Sequence, residues 1–431
     1  MSSPDPTPVT GNARELTLAT LAFGVCFYAW ALLGPLGVKL QDSLGLSDTE
    51  LAITVAIPVL LGSLMRIPMG VWTARYGGRV VFTALMAFTV LPLIGLALFH
   101  TSWTAVLIFG FLLGFAGSSF AVGVPFVNKW YPADRQGFAL GIYGIGMGGT
   151  VVGALTAPRI AKATDLSVPF WIAAGLVAAM AVVFWLGARN APGSAAGNTG
   201  SMFASLAVFK GRGAGRAWAL TLFYFMAFGG FVAMFLYLPK MLHGVHGLSL
   251  TDAGSRAAGF AVLAVIARPV GGWLSDRIGA KNVLVVSFVG TALLALVLAG
   301  TYKHMVPLTV ACLTMAVCLG LGTGAVFKLV PEWFPQQVGA VTGVVGAAGG
   351  LGGFFPPLVM AVVKTSTGSY TLGFVLMAVV AGLSLLVLFG VGRPRRADAA
   401  GADAVIPPRS CSNPAQPDLR YFRLLLIKKR P

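Results

Sequence analysis

The sequence predicts an all-α membrane protein of twelve transmembrane helices arranged as two six-helix pseudo-repeats. Three observations predict it: an apolar composition, twelve apolar runs of spanning length, and a chain that aligns with itself. Of the 431 residues 57% are hydrophobic and only 10% are charged, and the mean hydropathy is +0.85. A soluble domain of this length does not read that way. Runs long enough to cross about 30 Å of hydrocarbon fall near 17–39, 51–73, 80–99, 104–128, 138–159, 168–188, 217–241, 253–275, 282–301, 306–329, 338–361 and 370–391. The runs are continuously apolar where barrel strands alternate over about ten residues, so helices are the spanning element.

A shift of 202 positions superposes RIPMGVWTARYGGR (66–79) on RPVGGWLSDRIGAK (268–281). It places Arg66 on Arg268, Gly70 on Gly272, Arg75 on Arg277 and Arg79 on Lys281. The same shift carries GLSDTE (45–50) onto GLSLTD (247–252), and Gly141, Gly144 and Gly148 onto Gly343, Gly346 and Gly350. Internal symmetry of this kind divides the chain into an N-tail (1–15), a first half (16–188), a linker (189–216), a second half (217–391) and a C-tail (392–431) that is expected to be disordered. The linker is rich in Gly, Ala and Ser, with room for a short interfacial helix.

Charge fixes the expected orientation. With both termini inside, cytoplasmic segments hold fourteen lysines and arginines against seven in the outer loops and their flanks. The net charge of +17 is thus a topology signal, nucleic acid is not an expected partner, and the protein is placed in the cytoplasmic membrane, with the lipid bilayer as its surroundings, as a monomer. No basic cluster precedes the first apolar run, which is expected to remain in the mature protein. Cys26, Cys312 and Cys318 fall in spans and Cys411 in the tail, without metal-ligand spacing, and the pair His243 and His246 lacks a third ligand nearby. No cofactor, metal or catalytic group is expected, since no nucleophile with its base can be assembled within the spans.

Two charges break the apolar pattern at equivalent depths. Arg66 and Arg268 each sit inside a span, where an arginine costs at least about 2.5 kcal/mol unless it faces water or a partner. The twofold relation brings both to one central axis. None of the thirteen acidic residues falls in a span interior, so the pair predicts an anionic ligand, one arginine bonded to backbone carbonyls being the alternative. Lys328 lies close enough to a span end to snorkel. The lack of a titratable Asp, Glu or His in the spans predicts exchange of one anion for another, because arginine does not deprotonate. A guanidinium fork suits planar oxyanions. Tyr224 and Phe228 share one side of the seventh span, with Phe120 in the fourth and Trp30 in the first as further aromatic candidates.

Parallel six-helix repeats are the arrangement described for major facilitator transporters. GWLSDRIGAK (Gly272, Asp276, Arg277, Lys281) fits the superfamily's loop signature at every fixed position, and GVWTARYGGR (Gly70, Arg75, Arg79) fits except for Ala74 in place of the acid. The membrane portion, about 15–391, further resembles the NarK-type nitrate/nitrite porters through MRIP, ARPVGGWLSDR, Tyr224-x-x-x-Phe228, FAVGVPFVNKWYP before RQGFALGIYGIGMGG, and GAVTGVVGAAGGLGGFFPP. The resemblance implies that Arg66 and Arg268 clamp nitrate or nitrite, that Tyr224 donates a hydrogen bond, and that Phe120 and Phe228 pack on the anion. Met147 stands where the family pattern has Asn, which substitutes a thioether for a polar contact. The glycines read as close-packing and sliding positions. Other small anions such as cyanate or formate, a larger carboxylate or phosphate ester, and an anion sensor are the competing readings.

Overall fold

A computed structural model describes residues 11–192, 207–211 and 213–391. Twelve helices in it have the length and apolarity to cross a membrane. They are α1 (Ala13–Gly37), α2 (Ile53–Tyr76), α3 (Gly78–Phe99), α4 (Trp103–Asn128), α5 (Gln136–Ala163), α6 (Val168–Gly187), α7 (Ala214–His246), α8 (Asp252–Ile278), α9 (Ala280–Thr301), α10 (Met305–Trp333), α11 (Val338–Pro356) and α12 (Thr371–Gly390). The twelve match the expected runs one for one, mostly with longer ends. The C-tail, residues 1–10 and residues 193–206 of the linker lie outside the described residues. Within the rest of the linker, a single turn at Ala207–Phe209 packs its Phe209 ring edge-on against Trp218.

The repeated GLS segments turn out to be helix caps. Ser47 accepts from the backbone N–H of Glu50, whose carboxylate returns to the Ser47 N–H, and Ser249 accepts from Asp252 N–H at 3.1 Å. Each satisfies donors that the first turn of a helix leaves open. At the other end of the same helices, Gly77 and Gly279 stand at φ 83° and 86°, conformations a side chain resists, and there the chain reverses into α3 and α9. The motif loops are therefore sharp corners, with Arg75 and Arg277 in the last helical turns before them.

Three spans depart from α-helical winding at their glycine-rich centres. α4 tightens to a 3-10 turn at Gly114–Ser118, α5 does so at Ile145–Gly148, and α7 opens to a π turn at Phe225–Gly229. Such turns redirect backbone carbonyls that an α-helix would consume. Leucines and valines such as Leu91, Leu186, Val306 and Leu386 are exposed on the outer faces. In water that surface would be untenable; in a bilayer it is the lipid contact.

The helix α1 starts upstream of its apolar run, and it buries Glu15 in its first turn with the carboxylate accepting from the Arg189 N–H. Lys328 finds a partner at the end of α8. Its ammonium lies 2.7 Å from Asp276, because α10 runs beside the last turn of α8.

Candidate anion-binding site

Glycines decide how close the two halves come. A Cβ at Gly70 would strike the Gly339 carbonyl, and one at Gly272 would strike that of Gly137. A Cβ at Gly141 would lie 2.5 Å from Pro269 Cα, and one at Gly343 would lie 2.6 Å from the Arg66 carbonyl. Thus α2 crosses α11, and α5 crosses α8, backbone on backbone. The two crossings are related by the sequence repeat. They sit between the arginines and the motif loops.

At this depth Arg66 and Arg268 are 2% and 4% exposed. Arg66 donates from Nε to the Gly117 carbonyl at 3.2 Å and from Nη1 to the Gly346 carbonyl. Arg268 donates from Nη1 to the Gly144 carbonyl at 3.3 Å. Gly144 and Gly346 are repeat equivalents, so each half's arginine holds a carbonyl of the other half. Gly144 and Gly346, read from the sequence as packing positions, also supply acceptors. They leave room as well: a Cβ at Gly144 would lie 3.3 Å from Arg268 Cδ, and one at Gly346 3.2 Å from Arg66 Cδ. Gly350 faces Ser63 and the Arg66 guanidinium, whereas Gly148 meets only Val265 at ordinary contact distance.

The α7 π turn delivers the aromatic floor. The Phe228 ring lies under both cations, its centroid 5.6 Å from Arg66 Cζ and 5.3 Å from Arg268 Cζ. Tyr224 stacks on Phe228 at 5.1 Å and 2°, and Phe120 continues the stack from Tyr224 at 6.1 Å and 7°. Tyr224 neighbours Arg268. Phe327, which nothing in the sequence singled out, stands edge-on to Phe120 and Tyr224 at 4.6 Å from each. Met147 is buried in the 3-10 turn that follows Gly144. Trp30 points elsewhere, donating to the Pro58 carbonyl.

Each guanidinium carries five donors. Among the described residues neither has a carboxylate partner, and Nη2 of Arg268 is buried without any hydrogen bond. An unsatisfied charged donor costs roughly 1–3 kcal/mol or more, so the arrangement favours an added acceptor. What it can do chemically is hold a small acceptor-only ion between two forks, above an aromatic face.

The motif acid has a separate task. Asp276 accepts from the Gly137 and Phe138 N–H groups at 3.1 and 2.7 Å, at the start of α5, and Lys328 donates to the Ala133 carbonyl. Carboxylate, ammonium and helix N-terminus complete one another. Across the pseudo-axis, Ala74 offers α11 only a methyl group, 3.4 Å from a Cβ built on Gly339. Asp276→Asn is expected to cost about 3 kcal/mol by stranding the Lys328 charge, read as a lower melting temperature in detergent. Asp276→Asn with Lys328→Met is expected to recover part of the loss; an unchanged melt for the single variant would refute the clamp.

His243 Nδ1 and His246 Nε2 face the carbonyls of Leu248 and Tyr302 at 2.7 and 2.9 Å. Cys26, Cys312 and Cys318 are buried free thiols.

The model of the Major Facilitator Superfamily matches residues 19–258 and 246–430. The probable nitrate/nitrite transporter NarK2 of Mycobacterium tuberculosis is 43% identical over 378 residues, covering 86% of this chain and 94% of that protein. The nitrite extrusion protein of Bacillus subtilis is 36% identical over 375 residues, with 87% and 93% covered. The probable nitrate/nitrite antiporter NarK1 of Thermus thermophilus is 38% identical over 410 residues, with 86% and 90% covered. In fold alone, the human organic anion transporter MFSD10 superposes with TM-score 0.71 at 17% identity over 87% of this chain and 99% of its own. The proton:xylose symporter XylE superposes with 0.70 at 16% identity over 88% and 95%. With the family model spanning the membrane region and relatives above a third identical along nearly their whole length, the chain belongs to the NarK-type nitrate/nitrite porter family of the major facilitator superfamily.

Proposed function

We propose that the protein moves nitrate and nitrite across the cytoplasmic membrane by exchange, one anion at a time held between Arg66 and Arg268, while the two six-helix halves rock about the site. The observation that carries this reading is the pair of buried guanidinium groups over one Phe228 ring, with no carboxylate beside them among the described residues. The named functions of the relatives support the same class of anion.

The geometry suggests how the residues divide the work. A planar oxyanion takes paired N–H bonds from each fork, with Tyr224 adding a donor at its edge and Phe228 and Phe120 excluding water from its face. Without the anion, the guanidinium groups rest on the Gly144 and Gly346 carbonyls of the opposite half. With it, those bonds are exchanged for stronger charge-assisted ones. The anion therefore offsets the repulsion that two converging cations exert, and the halves reorient most easily when loaded. Arginine does not release a proton at physiological pH, so neither cation serves as a relay. With both termini in the cytoplasm, as the charge count indicates, the glycine crossings close the cytoplasmic side. The protein works as a monomer, with the site complete in one chain.

Counterflow in proteoliposomes is the test. Vesicles loaded with nitrite and diluted into labelled nitrate are expected to fill quickly, while empty vesicles do not, with or without an imposed pH gradient. Entry into empty vesicles driven by the gradient would refute exchange. Absence of nitrate entry in every arm, with cyanate or formate entering instead, would refute the substrate.

A further inference from the structure

The spans α7, α11 and α12 enclose a cleft of about 290 Å³ that the anion site does not use. Its inner wall is Phe225 and Met226 of the π turn, and its sides are Met234, Phe374, Met377 and Phe355. Apart from the Tyr237 hydroxyl, the lining side chains carry only carbon and sulfur, so neither water nor an anion is a suitable occupant. The α12 positions that line it run from the third to the tenth residue of the span. At a rise of about 1.5 Å per residue the cleft reaches from roughly 3 to 14 Å below the span's end, inside the hydrocarbon layer.

The mouth opens sideways. Phe355, Val359 and Leu376 at its rim are 52%, 45% and 40% exposed, continuous with the apolar outer faces of the spans. We propose that this cleft binds one acyl chain of a membrane phospholipid, which enters laterally from the bilayer. Depth, dryness and continuity with the lipid-facing surface all select hydrocarbon over any solute. Three methionines, Met226, Met234 and Met377, suit a ligand that changes conformation, since unbranched thioethers adapt to an irregular partner. Phe228 belongs to the same π turn as Phe225 and Met226, so a chain in the cleft buttresses the turn that carries the aromatic floor. That consequence rests on the anion-site reading; the binding proposal does not.

The full chain in phosphatidylcholine vesicles containing a trace of phosphatidylcholine with a diazirine on one acyl chain tests it, with adducts mapped by mass spectrometry after photolysis. Adducts on Phe225, Met234, Phe374 and Met377 are expected to exceed those on the exposed α6 face around Leu186. Ala233→Phe, which fills the cleft from its α7 wall, is expected to abolish that excess and leave the α6 adducts unchanged. Should that variant fail to fold, Ala233→Leu takes its place. Evenly spread adducts, a cleft labelled less than α6, or an excess that survives in the folded variant would overturn the proposal. Because labelling is read without transport, its failure is separable from failure of the anion site.

Discussion

Arg66→Lys and Arg268→Lys are each expected to lower nitrate counterflow by roughly 100-fold. A lysine keeps the charge but replaces a planar fork with a point donor. Arg66 reaches Gly117 and Gly346 at once, on two different helices, and no single ammonium position satisfies both while also addressing an anion. Losing one or two charge-assisted hydrogen bonds, each about 1.5–3 kcal/mol, corresponds to roughly a hundredfold at about 1.4 kcal/mol per decade. The lysine variants are expected to insert and purify normally, since the charge remains paired with backbone carbonyls. Near-normal counterflow in either would remove that arginine from the site. A rate loss accompanied by aggregation would say nothing of the fork, so size-exclusion profiles accompany the assay.

Gly70→Val and Gly272→Val are the second pair with a large expected effect, and they act without touching the site. A Cβ at either position runs into the backbone of the facing helix, at the Gly339 or the Gly137 carbonyl. Backbone cannot step aside as a flexible side chain can, so α2 and α11, or α5 and α8, must part. The closed arrangement on the motif side is then unreachable, and counterflow is expected to fall to the level of protein-free vesicles. The check is accessibility. Ala340 is 3% exposed, and a cysteine there, in a background lacking Cys26, Cys312, Cys318 and Cys411, is expected to react with an impermeant maleimide from the motif side only when Gly70→Val is present. A protected Ala340→Cys in the Gly70→Val background would show that the crossing tolerates a side chain.

Much of the fold is legible in the sequence, for physical reasons. Spans announce themselves because the bilayer tolerates only long apolar helices, and the 202-residue repeat located Arg66 and Arg268 as partners by arithmetic. Tyr224 and Phe228 were legible through their helical spacing, although the π turn that tilts their rings parallel was not. Phe327 was invisible, being one more aromatic in an apolar helix, and only the packing of α10 against α4 and α7 gives it an edge to present. The acceptors of the arginines were half legible. A carbonyl in reserve was conceivable, but its donation by Gly144 and Gly346 depends on helix crossings that single-sequence spacing does not encode. The position of Lys328 near a span end was legible but its partner was not, because Asp276 lies 52 positions away on another helix, a separation at which local rules have no purchase.

The lone Asp276 clamp has a mechanical consequence. To separate α5 from α8, the protein must strip a carboxylate and an ammonium from two N–H groups and a carbonyl, all at once. To separate α2 from α11 at the Ala74 level it need only part methyl and backbone surfaces. The two seams thus differ in stiffness, and a structure assembled from near-duplicate halves need not move as a symmetric one. In the proposed rocking motion the softer seam is expected to yield first, so that the order of opening on the two sides follows from a single missing carboxylate.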